Sequence, residues 1–137
     1  MSVPVVVLIH DAAWRTQVVE HLAQAGVGVA VADDVAELLW QLDHAGERVV
    51  CVLENDARGE GRRAFTEMLR AGKGAVPAIF TVGSAPRSDT TQRLLIAGAF
   101  AVIMNGATSL PELTRQILRA IDLKFWRYEQ SQPWSAL

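Results

Sequence analysis

Five short apolar runs, rich in β-branched residues, recur along this chain, each followed by a stretch in which apolar residues return every three or four positions. Val5 to Ile9 is uninterrupted, the pattern of a strand buried on both faces, and such strands occur in parallel sheets covered by helices. The other runs are Val27 to Val31, Val49 to Leu53, Ala78 to Val82 behind Pro77, and Ala101 to Met104. Trp14, Val18, Leu22 and Ala25 stand at helical spacing after the first run, and Gly26 supplies a stop. Asp34 and Glu37 form a carboxylate version of the capping box ahead of Leu38, Leu39 and Leu42, a second helix that Gly46 ends. Ala64, Phe65, Met68 and Leu69 mark a third helix closed by Gly72 and Gly74, and Leu94, Leu95 and Ala97 a short fourth ending at Gly98. Ser109, Pro111 and Glu112 open a fifth that buries Leu113, Ile117 and Ile121. Parallel neighbours need helix-length connections, so this alternation predicts an α/β fold with a doubly wound, five-stranded parallel sheet.

The 137 residues suffice for one such domain and not for two. We divide them into a domain over 1–124 and an extension of the last helix over 125–137, a linker or interaction tail. With 13 basic against 15 acidic side chains, interspersed, no basic patch forms for nucleic acid or an anionic membrane, so neither is expected as a partner. No stretch approaches the roughly 20 apolar residues of a membrane helix. The one cysteine, Cys51, rules out an intramolecular disulfide and a cysteine-based zinc site, and a reducing, cytoplasmic setting fits. Inside VVCVL it reads as a buried filler rather than a reactive thiol. His21 and His44 read as surface residues of the first two helices.

In an open parallel sheet, ligands bind beyond the C-terminal ends of the strands, where the strand order reverses. The residues that carry function are therefore expected at the strand exits: Ile9, His10 and Asp11; Leu53 to Asp56, opening the polar loop ENDARGEG; Val82, Gly83 and Ser84; and Met104, Asn105 and Gly106. The first exit, HDAAWR, lacks the glycines that let backbone amides approach a phosphate, and there is no Walker-type lysine and no serine-elbow motif. Enzymatic activity is not expected, nor is any cofactor.

VVVLIHD followed by Arg15 and Gly26, the GEG turn at Gly59 to Gly61, PAIFTVGS, GAFAVIMNG and SLPEL, taken in that order, resemble the receiver domain of bacterial two-component response regulators. The resemblance covers roughly the first 125 residues and implies the (βα)5, flavodoxin-like arrangement of that family. It also implies a phosphoryl site: an acidic pair after the first strand and an acceptor aspartate after the third that hold Mg²⁺, a hydroxyl after the fourth and a lysine after the fifth. Every one of these positions departs from the pattern here. The acidic pair matches Ile9 and His10, leaving Asp11 as the loop's carboxylate. The acceptor falls on Glu54 if one loop residue is deleted and on Leu53 if not, with Asp56 further along. The hydroxyl position falls on Val82, flanked by Thr81 and Ser84, and the lysine position on Asn105.

The chain is in this respect similar to degenerate receivers, including those at the N-termini of some sigma-54-dependent activators. That resemblance implies a signalling module acting without phosphorylation, through protein contacts or dimerisation, as part of a transcriptional regulator or standing alone. The vestigial pocket would comprise His10, Asp11, Glu54, Asp56, Thr81, Val82, Ser84 and Asn105, with no metal. The alternative is a receiver phosphorylated at Asp56, with Asp11 and Glu54 as a makeshift metal pair. Glu54 reads either as a solvated loop carboxylate or as a mimic of phosphoaspartate. His10 reads as a hydrogen-bonded filler of the old acidic pocket, or as a ligand with Asp11, Glu54 and Asp56 in a mixed nitrogen and oxygen metal site. Phe125, Trp126, Tyr128 and Trp134 crowd four of nine aromatics (four Phe, four Trp, one Tyr) into the last segment. Aromatics are enriched at interface centres, so we expect a protein partner there: a second copy, another protein or a following output domain.

Overall fold

The computed structural model describes residues 5–46, 48–83 and 88–130, with backbone alone for Ser88 and 123–130. Strands β1 (Val5–Leu8), β2 (Val29–Val31), β3 (Val50–Asn55), β4 (Ala78–Val82) and β5 (Ala101–Met104) alternate with helices α1 (Ala12–Gln24), α2 (Val35–His44), α3 (Glu60–Arg70), α4 (Ser88–Ile96) and α5 (Leu110–Gln130). All pairings are parallel and the spatial order is β2-β1-β3-β4-β5, so the order reverses between β1 and β3. The doubly wound parallel sheet that the alternation predicts is the fold observed.

Side chains along each strand point to alternate faces, which splits the apolar runs between two cores. Val5, Val7 and Ile9 pack with Val52 and Ile79 against Trp14, Val18 and Leu22 of α1 and Leu113 and Ile117 of α5. Val6, Leu8, Cys51 and Phe80 pack against Leu38 and Leu42 of α2, Phe65 and Met68 of α3 and Leu94 of α4. Four residues read as core-facing do not pack inward: Ala25 caps α1 in solvent, Ala97 is exposed just past α4, and Leu69 and Leu95 are 50% and 44% exposed. A short helix seated on a sheet buries one stripe, and Phe65 and Met68 on α3 and Leu94 on α4 fill it. Ile121 is only partly buried.

Two boundaries differ in ways that matter for the site. ENDARGEG is not one loop: Glu54 and Asn55 complete β3, Glu60 and Gly61 begin α3, and only Asp56 to Gly59 connects them. Ser109 does not open a capping box but closes a 3-10 turn over Ala107–Ser109, its amide donating to the Gly106 carbonyl, before α5 begins. Asp34 does cap α2, accepting from the Glu37 amide at 2.8 Å, and Glu37 returns a bond to the amide of Asp33. Among the described residues no helix is long and apolar enough to cross a membrane.

Gly61 is where α3 lies directly on β3. A Cβ there would lie far inside van der Waals contact with the Glu54 carbonyl oxygen, so only glycine allows the approach. Alanine ordinarily stabilises a helix by about 1 kcal/mol over glycine. At Gly61 the sign reverses: Gly61→Ala is expected to destabilise by about 1–3 kcal/mol in urea unfolding, because the helix must back away from the strand.

Cys51 is fully buried beside Met68, and burial pushes its thiol from 9.0 to about 12. The folded chain should therefore resist a thiol-reactive disulfide reagent at about pH 8 and react promptly once unfolded in guanidinium. As pH rises from 9.0 toward about 12, the unfolded chain loses this proton before the folded one does, so the thiol's share of stability is lost across that window.

Candidate functional site

The strand exits surround a cleft of about 820 Å³ at the C-terminal edge of the sheet. His10, Asp11, Glu54, Asp56 and Asn105 all line it, so the structure brings the sequence-derived residues together. From the β4 exit only Gly83 lines it; Thr81 and Val82, expected in the pocket, are buried in the strand and do not. Ser84 lies outside the described residues, as do Trp134 and the side chains of Phe125, Trp126 and Tyr128.

Glu54 is not a solvated loop carboxylate. It belongs to β3, it is 6% exposed, and its Oε1 accepts from the backbone amides of His10 at 2.9 Å and Asp11 at 3.3 Å. Leu8 pairs with Leu53, so the next residue of each strand stands side by side, and the carboxylate crosses the switch point between β1 and β3. A buried carboxylate needs donors, and the turn out of β1 supplies them.

The other groups are committed in the same way. Asp11 accepts from the Trp14 amide at 3.0 Å and so caps α1. Asp56 Oδ1 accepts from the amides of Arg58 and Gly59 at 3.1 and 3.2 Å, which closes its own turn ahead of α3. His10 Nε2 donates to Glu60 Oε2 at 2.7 Å, with side chains 23% and 15% exposed. The reading of His10 as a hydrogen-bonded filler therefore agrees with the geometry, although its partner, Glu60, was not among the residues singled out. The Thr81 hydroxyl accepts from Trp14 Nε1 at 3.2 Å in the buried layer under α1. Val82 presents no hydroxyl, and Asn105 offers a neutral amide whose buried Oδ1, like that of Asn55, has no partner.

A divalent cation in such a cleft requires several carboxylate oxygens turned toward one point. Here the carboxylates of Asp11, Glu54 and Asp56 accept from backbone amides at three separate places, and among the described residues no group of three His, Cys, Asp or Glu side chains could hold a metal ion. The residues present do not fit the Mg²⁺ site that the family resemblance implies.

No family model matches this chain, and no curated protein matches it in sequence. Solved structures do match in shape. The signal receiver domain of a putative LuxO repressor protein from Vibrio parahaemolyticus superposes with a TM-score of 0.79 at 8% identity, over 96% of this chain and 99% of that one. This chain has the receiver fold. A CheY-like receiver domain protein from Methanospirillum hungatei matches with a TM-score of 0.69 at 20% identity, over 93% and 99% of the two chains. NtrX from Brucella abortus, solved in complex with ADP, matches with a TM-score of 0.75 at 19% identity over 96% of this chain but only 29% of its own length. The receiver fold thus also occurs inside a much longer protein.

Within this receiver fold, Glu54 is the side chain on which the loop after β1 hangs. Glu54→Leu should leave two partly buried amides without their acceptor and cost about 1–3 kcal/mol in chemical unfolding, whereas Glu54→Gln, which keeps an oxygen in place, should cost about 1 kcal/mol or less. Hydrogen exchange at the His10 and Asp11 amides should accelerate in the leucine variant and change little in the glutamine one.

Proposed function

We propose that this receiver-fold domain is a regulatory interaction module that works without phosphorylation and has no enzymatic activity of its own. The observation that carries the reading is the Glu54 carboxylate, buried and committed to the His10 and Asp11 amides. An acceptor carboxylate must attack a phosphorus that itself bears negative charge, so it needs a free oxygen and a cation to offset the repulsion. Glu54 Oε1 is held by the amides of the turn after β1, Asn105 brings no positive charge, and the Thr81 hydroxyl accepts from Trp14 Nε1. The same geometry argues against Glu54 as a mimic of phosphoaspartate, since its charge is presented to the loop after β1 instead of to a switch on β4 or β5.

The contact surface in this reading lies at the β5 edge of the sheet. Leu95 and Ile96 on α4, Met104 on β5 and Leu118 on α5 are 44%, 84%, 46% and 47% exposed, and they account for four of the six large apolar side chains found exposed among the described residues. Exposed apolar side chains gathered on neighbouring elements mark a protein-binding surface. The partner is a protein: a second copy, a separate protein or an output domain such as that of a transcriptional regulator.

Incubation with acetyl phosphate, with or without Mg²⁺, should leave the chain unmodified by intact mass and by phosphate-affinity electrophoresis. A modification that requires Mg²⁺ and disappears in Asp56→Ala would establish the competing reading, a receiver phosphorylated at a shifted aspartate.

A further inference from the structure

Trp40 is the bulkiest apolar side chain that the described residues leave in solvent, at 56% exposed. Leu38 and Leu42, two residues to either side, hold α2 against the core, and at 100° per residue Trp40 stands about 160° round the helix from both. Packing into its own domain is closed to it. Since α2 lies over Val6 and Leu8 of β1, and β1 is three strands from β5, Trp40 is also remote from the apolar edge formed by α4, β5 and α5.

The exposed indole is nevertheless held in place. His44, one turn on, stacks on one of its faces with ring centroids 4.0 Å apart and planes inclined by 24°. A carbonyl only accepts, so the 2.8 Å contact between His44 Nδ1 and the Trp40 carbonyl is an Nδ1–H donor bond, and it fixes the imidazole in the stack. One turn back stand Ala36 and Glu37, and Ala36 offers only a methyl. Among the described residues no other ring and no cation lies on the second indole face.

The surroundings of that face are acidic. From Asp33 to Gly46 the chain carries Asp33, Asp34, Glu37 and Asp43 and neither lysine nor arginine. Glu37 and Asp43 are three residues before and after Trp40, so both lie beside it on the helix surface. Glu37 Oε2 accepts from the Asp33 amide and Asp43 Oδ1 pairs with Lys73, which holds the Asp43 carboxyl below its ordinary value. One oxygen of each carboxylate is thus engaged, and the second is left to a partner.

A planar cation answers all three groups at once. A guanidinium lies flat on an indole while its N–H donors project in its own plane toward flanking carboxylates, whereas an ammonium is a point charge that does one or the other. Phosphate-bearing partners, nucleic acid or membrane, would meet four carboxylates and be repelled. We infer that Trp40 anchors a second contact surface of this domain, on α2, which takes an arginine of a basic protein segment against the open indole face between Glu37 and Asp43. The inference rests on the interaction-module reading and adds a surface and a partner chemistry to it. The two ends of the sheet then offer contacts of different kinds, apolar at β5 and acidic around an aromatic ring at α2.

The probe is a short, fluorescently labelled peptide alternating glycine and arginine, set against its glycine and lysine counterpart on the full chain. Anisotropy is expected to show saturable binding, about fivefold tighter for the arginine peptide. In ¹⁵N-resolved spectra the Trp40 indole resonance, recognised by its loss in Trp40→Leu, should move in step with that binding. Trp40→Leu, which keeps apolar bulk without the π face, should weaken the arginine peptide about fivefold, and so should Glu37→Gln combined with Asp43→Asn. Glu67→Gln combined with Glu112→Gln removes the same charge from α3 and α5 and should change affinity by less than about twofold. Equal affinity for the two peptides, a Trp40 indole resonance that does not move, or equal losses from the two charge pairs would overturn the inference. A chain that refuses both acetyl phosphate and the peptide would overturn it alone, whereas a chain that binds the peptide and takes up phosphate would overturn the functional reading and leave the α2 surface intact.

Discussion

The buried carboxylate of Glu54, held by the amides of His10 and Asp11, is the constraint from which the rest of the cleft follows. A carboxylate 6% exposed must find donors or unfold its surroundings, and the first turn after β1 meets that need from the adjacent strand. Fixing that turn places Asp11 to cap α1, and the cap places Trp14 so that its indole reaches Thr81 on β4. It also presents the His10 ring to Glu60 at the start of α3, where Gly61 lets the helix settle on the Glu54 carbonyl. β1, β3 and β4 and the starts of α1 and α3 are tied together by side chains that in a metal-dependent site would have been left free.

A cleft that binds a cation keeps carboxylate oxygens in reserve, repelling one another until the ion arrives. Here one oxygen each of Asp11, Glu54 and Asp56 is held by backbone amides and Glu60 by His10, while the buried Oδ1 atoms of Asn55 and Asn105 have no partner. These bonds brace the first turns of α1 and α3 against β1 and β3, while Leu95 and Ile96 on α4, Met104 on β5 and Leu118 on α5 stay exposed.

The layout of the fold was legible because β-branched runs buried on both faces and helix stripes between them admit few arrangements, and Val5 to Ile9 alone nearly demands a central parallel strand. The site was legible in place but not in detail. His10, Asp11, Glu54, Asp56 and Asn105 do meet at one cleft, because topology puts strand exits together. That Glu54 ends a strand instead of opening a loop could not be read from ENDARGEG, whose polar composition hides the backbone pairing of Glu54 with Thr81. Glu60 was missed because its partner lies 50 residues earlier, and no local pattern links a helix-start glutamate to a distant histidine. Leu69 and Leu95 misled because spacing alone does not say how wide a stripe a short helix can bury.

The central claim is that this cleft accepts neither a divalent cation nor a phosphoryl group. It is tested most directly by ¹⁵N-resolved spectra of the backbone amides recorded before and after addition of Mg²⁺ and beryllofluoride. The account predicts that the resonances of His10, Asp11 and Asn105 stay where they are. Saturable shifts of those three amides, dependent on both additions, would contradict it.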